Sequence, residues 1–259
     1  MNKQELIKKI TSKKEFSQLP KRDVELALEK FDKERNSDHQ KLKLTRNFLR
    51  NLFSSFSSRK LLQENVLDKG KDLEWLLKKH KSTKERFDFY EEIYRRFFYG
   101  IKKVSLIDLG SGINGLSYNF LKKYINEYVG IEAVGQLVNL NNYFFKKNSL
   151  KKAITIHQSL FELDSIKEIV NNTEKPRVIF LLKVIDSLES MNRNYSKDLL
   201  NELSPLTDRF VLSFATKSLG NRKKFSAQRG WIVKFVEENF RIIEDFELNG
   251  ERYIVFSKK

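Results

Sequence analysis

The sequence predicts an α/β chain in two parts: residues 1–100 all-helical, and residues 101–259 a doubly wound parallel sheet. Three observations predict it. The first hundred residues are almost free of Gly and Pro and carry apolar residues at helical spacing. From Lys103 onward, short apolar runs alternate with helical stretches. The chain closes on two strand-like runs around Asn249-Gly250, a two-residue hairpin signal of the type I′ class.

In the first part, Leu6, Ile7 and Ile10 form one helical face. Val24, Leu26, Leu28 and Phe31 form a second, just after Pro20, and Leu42, Leu44, Phe48, Leu49, Leu52 and Phe53 a third. Gly70 separates a helix around Leu61–Leu67 from one around Leu73–Leu77. Ser82-Thr83-Lys84-Glu85 reads as a capping box opening a helix with Phe87, Tyr90, Ile93, Tyr94 and Phe97, whose aromatic rings are expected mostly to pack. In the second part the expected strands are VSLIDLG, EYVGIE, AITIHQ, RVIFLL and FVLSFA, then RIIEDFEL and ERYIVFSKK. NGLSYNFLKKYI, VGQLVNLNNYFFKK, LFELDSIKEIV, DSLESMNRNYSKDLLNEL and SAQRGWIVKFVEENF are the expected helices between them.

Fifty Lys and Arg against 34 Asp and Glu give a formal net charge of +16. Such an excess favours a polyanionic partner, although an AT-rich genome alone also enriches Lys. Distribution favours nucleic acid: six basic residues (Lys41, Lys43, Arg46, Arg50, Arg59 and Lys60) and no acid lie between His39 and Gln63, and seven basic and no acid between Arg209 and Val236. With no cysteine and three histidines, disulfides, thiol chemistry and Cys-based zinc are excluded, and no metal is expected. His157 reads as a core or surface histidine. No apolar run is long enough to span a membrane, and MNKQELIKKITSKKEF lacks the apolar stretch of a signal peptide, so a soluble cytoplasmic protein is expected.

The sharpest local signal is Asp108-Leu-Gly110-Ser-Gly112-Ile-Asn-Gly115, at the end of the first strand. Glycines there admit a ligand close to the backbone, and a following helix N-terminus favours negative charge. A dinucleotide site satisfies the same spacing, and a tight turn without ligand is the bland alternative. Asp108, two residues ahead of the first glycine, resembles motif I of methyltransferases, and Glu132 at the end of the second strand suits two ribose hydroxyls under either reading. The terminal hairpin on a parallel sheet is typical of S-adenosylmethionine-dependent methyltransferases. The expected fold is therefore a class I S-adenosylmethionine methyltransferase, a Rossmann-like seven-strand sheet with an N-terminal all-helical domain.

Three further segments, His80-Lys-Ser-Thr-Lys-Glu-Arg86, Leu182-Lys183-Val-Ile-Asp-Ser-Leu-Glu189 and Ser213-Phe-Ala-Thr-Lys-Ser-Leu-Gly-Asn-Arg222, narrow the match. In order and spacing they resemble the aminoglycoside-resistance 16S ribosomal RNA guanine-N7 methyltransferases. The resemblance implies methylation of N7 of guanine 1405 in the assembled 30S subunit, with S-adenosyl-L-methionine as methyl donor and a monomeric enzyme. It implies that Ser82, Thr83 and Arg86 hold the methionine end of the cofactor, that Gly110 and Gly112 shape the turn below it, that Glu132 takes the ribose, and that Ser159 and Leu160 flank the adenine. Lys183 and Glu189 match positions needed at the target nucleotide. Lys41, Lys43, Arg46, Arg50, Lys217 and Arg222 are the expected RNA-binding residues.

The sequence also departs from the family pattern. Glu132 and Ser159 stand where the family usually has Asp, and Asp186 and Ala215 stand where it has Pro. A methyltransferase for another RNA nucleotide, or a catalytically silent ribosome-binding homologue, are the alternative readings.

Overall fold

Apolar spacing and caps set the helices of the first hundred residues. The computed structural model describes residues 1–54, 61, 67, 72–216 and 229–259. α1 (Lys3–Thr11) opens on Asn2, whose side chain accepts from Glu5 N while Glu5 reaches back, and α3 (Asp38–Leu49) repeats this with Ser37 and Gln40. Each reciprocal pair satisfies amide donors that a helix start leaves open. Between them α2 (Lys21–Glu29) follows Pro20 and buries Val24, Ala27 and Leu28, together with Asp23. On α3, Thr45 and Leu49 turn inward and Leu44 lies exposed, so the buried stripe differs from the one expected by apolarity alone. The expected helix around Leu61–Leu67, apart from those two residues, and Arg59, Lys60, Gly70, Lys217 and Arg222 lie outside the described residues.

α4 (Leu73–Leu77) and α5 (Lys81–Arg86) follow, and a 3₁₀ turn at Phe87–Phe89 separates α5 from α6 (Tyr90–Phe97). The single helix expected there is thus two. The cap of α5 is His80, not Ser82, and no side-chain capping bond forms. The capping-box reading is corrected accordingly: Ser82 lies inside the first turn, where its hydroxyl meets Arg86.

The α/β region carries β1 (Val104–Leu109), α7 (Tyr118–Leu121), β2 (Ile125–Glu132), α8 (Gly135–Lys147), β3 (Ala153–His157), α9 (Leu163–Asn171) and β4 (Arg177–Leu182). Then come α10 (Ile185–Met191), α11 (Tyr195–Leu203), β5 (Arg209–Ala215), α12 (Gly230–Asn239), β6 (Phe240–Leu248) and β7 (Glu251–Lys258). The strand order is β3-β2-β1-β4-β5-β7-β6 in a seven-stranded sheet. β1, β4 and β5 pair in parallel, and every residue of β1 and β4 is buried, as a sheet covered on both faces requires. β7 runs antiparallel to both β5 and β6. Asn249 and Gly250 both take positive φ, 50° and 77°, in the turn type their sequence predicts. The expected helix from Asp186 to Leu203 is broken, because Asn194 adopts the left-handed conformation at φ 68°.

Two compact units emerge. The first comprises Met1–Phe87, Ser111–Ser117 and Ile131–Glu162, and the second Asp88–Gly110, Tyr118–Gly130 and Leu163–Lys259. In the second, α6 lays Tyr94 and Phe97 against Phe180 of β4, with ring centroids 6.2 and 5.3 Å apart. The aromatic series read from the sequence is largely this packing, while Tyr99 stays exposed. Among the described residues no helix is long and apolar enough to cross a membrane.

Candidate functional site

The turn after β1 is built on two glycines with left-handed backbone, Gly110 at φ 68° and Gly112 at φ 54°. A side chain at either is opposed twice over: L-residues disfavour this conformation, and a neighbouring side chain would have to shift. A Cβ on Gly110 would meet Val184 Cγ2 at 2.6 Å, and one on Gly112 would meet His80 Nε2 at 3.1 Å. Backbone amides pin the loop. Ser111 N donates to Ile131 O at 3.1 Å and Gly112 N to Glu132 Oε2 at 2.7 Å, while Asn141 Nδ2 donates to Gly112 O at 2.7 Å. Glu132 is 6% exposed, and its second oxygen accepts from Val134 N at 2.8 Å. Its first task is therefore to hold the turn. A carboxylate offers about four acceptor positions, so this role is compatible with gripping a diol. Ser111 Oγ, buried in the same turn, has no hydrogen-bond partner among the described residues.

Arg86, at the end of α5, is 3% exposed, and its guanidinium reaches Ser82 Oγ and, at 3.4 Å, Asn114 Oδ1. Asn114 stands two residues beyond Gly112, so the guanidinium and the glycine turn are neighbours. Thr83, buried beside it, donates to the carbonyls of Leu77 and His80 and ties the start of α5 to the end of α4. The structure thus brings Ser82, Thr83, Arg86, Gly112 and Glu132 into one constellation.

Ser159 and Leu160 follow β3 and are buried. Ser159 Oγ accepts from Phe161 N at 3.1 Å and is hydrogen-bonded to Asp23 of α2. Burial pushes the Asp23 carboxyl up to about 6, with Glu162 repelling its charge and Ser159 and His157 opposing the rise. Sequence reading missed Asp23, whose only signal was an acid on an otherwise apolar helix face.

Lys183 and Glu189 lie in the second unit, and the basic residues of α3 in the first. Lys183, immediately after β4 and itself at φ 61°, places Nζ 3.0 Å from Glu251 Oε2, and Glu251 also accepts from Ser213 Oγ. Glu251 likewise went unnoticed in the sequence. Glu189 accepts from Asn194 N at 2.7 Å and Ser196 N at 2.9 Å, and so caps the first turn of α11. Of the basic residues on α3 and at its C-cap, Lys41 pairs with Asp32 at 2.6 Å, Arg50, the cap, with Glu15 at 2.5 Å, and Arg46 donates to Lys9 O; Lys43 is exposed. The window that is acid-free along the chain is partly neutralised in space. Among the described residues no cluster of His, Asp and Glu is placed to hold a metal.

No protein-family model matches the chain. Over 191 residues, 71% of its length, it is 22% identical to a 16S rRNA (guanine(1405)-N(7))-methyltransferase of Proteus mirabilis, and it spans 64% of that relative's length. The solved structure of the 16S rRNA methylase RmtB superposes with a TM-score of 0.81 at 19% identity, covering 100% of this chain and 99% of that one. The structure of the 16S rRNA methyltransferase RmtF in complex with S-adenosyl-L-homocysteine does so with a TM-score of 0.81 at 18% identity, covering 100% of both. The chain has the fold of the 16S rRNA methylases. The seven-strand α/β sheet read from the sequence is borne out, and so is the resemblance to this family.

Against the pattern of the 16S rRNA methylases, three of the departures, Asp186, Ala215 and Ser159, acquire partners here. Asp186, where the family has Pro, receives Arg229 Nε at 2.9 Å, and the same guanidinium donates to Ala215 O, at the other departed position. Ser159, where the family has Asp, is joined to a carboxylate from α2.

Proposed function

We propose that the chain is a methyltransferase using S-adenosyl-L-methionine to methylate N7 of a guanine, of the guanine-1405 type, in 16S rRNA of the assembled 30S subunit, and that it thereby confers aminoglycoside resistance. One constellation carries the reading: Gly112 N on Glu132 together with Arg86 on Asn114, within the fold of the 16S rRNA methylases. The residues fit the group they would hold. The buried Ser111 hydroxyl needs a partner, the glycine turn keeps side chains away, and Ser82 Oγ and Asn114 Oδ1 help to orient the Arg86 fork, whose planar donors suit a carboxylate.

In this mechanism Arg86, with Ser82 and Thr83 beneath it, binds the methionine carboxylate; Glu132 takes the ribose hydroxyls; Ser159 and Leu160 flank the adenine. The cofactor supplies an electrophilic methyl on a sulfonium centre. Guanine N7 carries a lone pair and no proton, so no residue has to act as general base. The work of the chain is alignment, which reaches effective molarities of ~10⁵ M or more. In stacked RNA, N7 faces a deep groove closed to side chains, so the guanine is drawn out of its stack, with Lys183 at the target and Glu189 fixing the turn beside it. Residues 1–100 read folded RNA through Lys41, Lys43, Arg46 and Arg50, and Lys217 and Arg222 do so from residues 101–259. The enzyme works as a monomer in the cytoplasm, where ribosomes are.

Incubation with 30S subunits and labelled S-adenosylmethionine, followed by primer extension and mass mapping of 16S RNA, tests this. The expected result is a single N7-methylguanine. Cofactor affinity without that mark moves the target to another RNA, and absence of cofactor affinity leaves a silent ribosome binder.

A further inference from the structure

We infer that Asp23, on the N-terminal helix α2, is the acceptor that recognises the exocyclic amine of the bound adenine, an assignment that rests on the S-adenosylmethionine reading above. α2 buries Val24, Ala27 and Leu28, and Asp23 lies on the same face, 2% exposed. A carboxylate on an apolar face is strongly unfavourable unless its oxygens find donors. Ser159 is one donor. Asp23 Oδ2, fully buried, has no hydrogen-bond partner among the described residues. Buried polar atoms are almost always partnered, so an acceptor left in this state points to a donor that arrives from outside the chain.

Position identifies the donor. Ser159 follows β3 at the carboxyl end, where doubly wound sheets bind ligands. Gln158 N donates to Glu132 O at 3.2 Å, so the segment carrying Ser159 is tied to the one carrying the ribose-binding carboxylate. A nucleoside whose sugar is held at Glu132 extends its base toward the neighbouring strand end, and there the chain presents Ser159, Leu160 and, through Ser159, Asp23. An N–H donor on that base is what a lone carboxylate oxygen selects, and adenine offers one in its amine. The Ser159 hydroxyl, short and already engaged by Phe161 N, orients the carboxylate and does not replace it. The helical N-terminal region thus supplies part of the cofactor site as well as an RNA surface.

The test is calorimetric titration of the intact chain with S-adenosylhomocysteine and with S-inosylhomocysteine, in which a carbonyl replaces the amine. The wild-type chain is expected to prefer the amine by ~10- to 100-fold, the effect of a hydrogen bond to a charged group. Asp23→Asn, whose amide can turn its NH₂ outward, is expected to lose or reverse that preference. Equal wild-type affinity for the two ligands overturns the assignment even if the variant fails to fold, and an unchanged preference in Asp23→Asn overturns it too. Binding of neither ligand overturns the cofactor reading together with this one, whereas binding without discrimination overturns this one alone.

Discussion

Lys183 Nζ lies 3.0 Å from Glu251 Oε2, with the two side chains 9% and 2% exposed, so the lysine after β4 is held by the first residue of the last strand. Removing one member of a buried pair leaves the other charge uncompensated. Glu251→Ala is therefore expected to lower stability by ~3 to 5 kcal/mol, read by urea denaturation. The double variant Lys183→Met with Glu251→Leu removes both charges and is expected to recover most of that loss. It separates the roles of the lysine: a stable double variant that no longer methylates 30S subunits places Lys183 in the chemistry, and one that keeps its activity makes Lys183 structural.

Arg86 offers a second test. Arg86→Ala is expected to weaken S-adenosylmethionine binding by ~1 to 3 kcal/mol, the usual loss for a hydrogen bond to a charged group. Arg86→Lys keeps the charge and loses the fork, so it is expected to recover part of the affinity only. Calorimetry showing the alanine variant to bind like wild type would make Arg86 a tie between Ser82 and Asn114 and nothing more.

Asp23 gives a pH signature independent of any ligand. Its carboxyl titrates at about 6 in the folded chain against 3.8 as the ordinary value, because burial disfavours the charge. Between those pH values the folded state keeps a proton that the unfolded state releases, so this group's contribution to stability rises as pH falls from about 6 toward 4. Above 6 the buried charge destabilises the fold by about 3 kcal/mol at most. Asp23→Asn is thus expected to be more stable than wild type at pH 7 and equal to it near pH 4. Denaturation curves at the two pH values decide, and a variant less stable at pH 7 would count against the burial account.

These relationships also mark where sequence reading stops. Strands, helices, the glycine turn and the Asn249-Gly250 hairpin were legible because each is written in local periodicity or in residues that tolerate positive φ. The position of β7 between β5 and β6 was not, since pairing depends on which strand edge remains open when the hairpin docks. Of the site, Arg86, Gly110, Gly112 and Glu132 could be named from their motifs. Asp23 and Glu251 could not, because each partners a residue far away along the chain and carries no spacing rule of its own. The His80 cap defeated the Ser82-Glu85 pattern for a related reason: the Ser82 hydroxyl is taken by Arg86, four residues on, instead of by its own helix start.

The last prediction concerns the form of the RNA. Charge reversal at Lys41, Arg46 and Arg50 together is expected to weaken 30S binding and leave cofactor binding intact, but it also breaks the pairs with Asp32 and Glu15. Lys43→Glu, exposed on the same helix, is the cleaner probe. It is expected to weaken 30S binding at unchanged stability and to lower the slope of log affinity against log salt by about one, as loss of a single phosphate contact does. An enzyme for free nucleosides needs only the sheet and its pocket, whereas this chain carries one acid-free basic window from His39 to Gln63 and a second from Arg209 to Val236. Windows so far apart in the sequence are best met together by RNA folded in three dimensions. Methylation is therefore expected on assembled 30S subunits and little or none on short hairpins or naked 16S RNA, with rates falling steeply as salt rises. Equal turnover on a hairpin and on 30S particles would show that the helical region does not select the substrate.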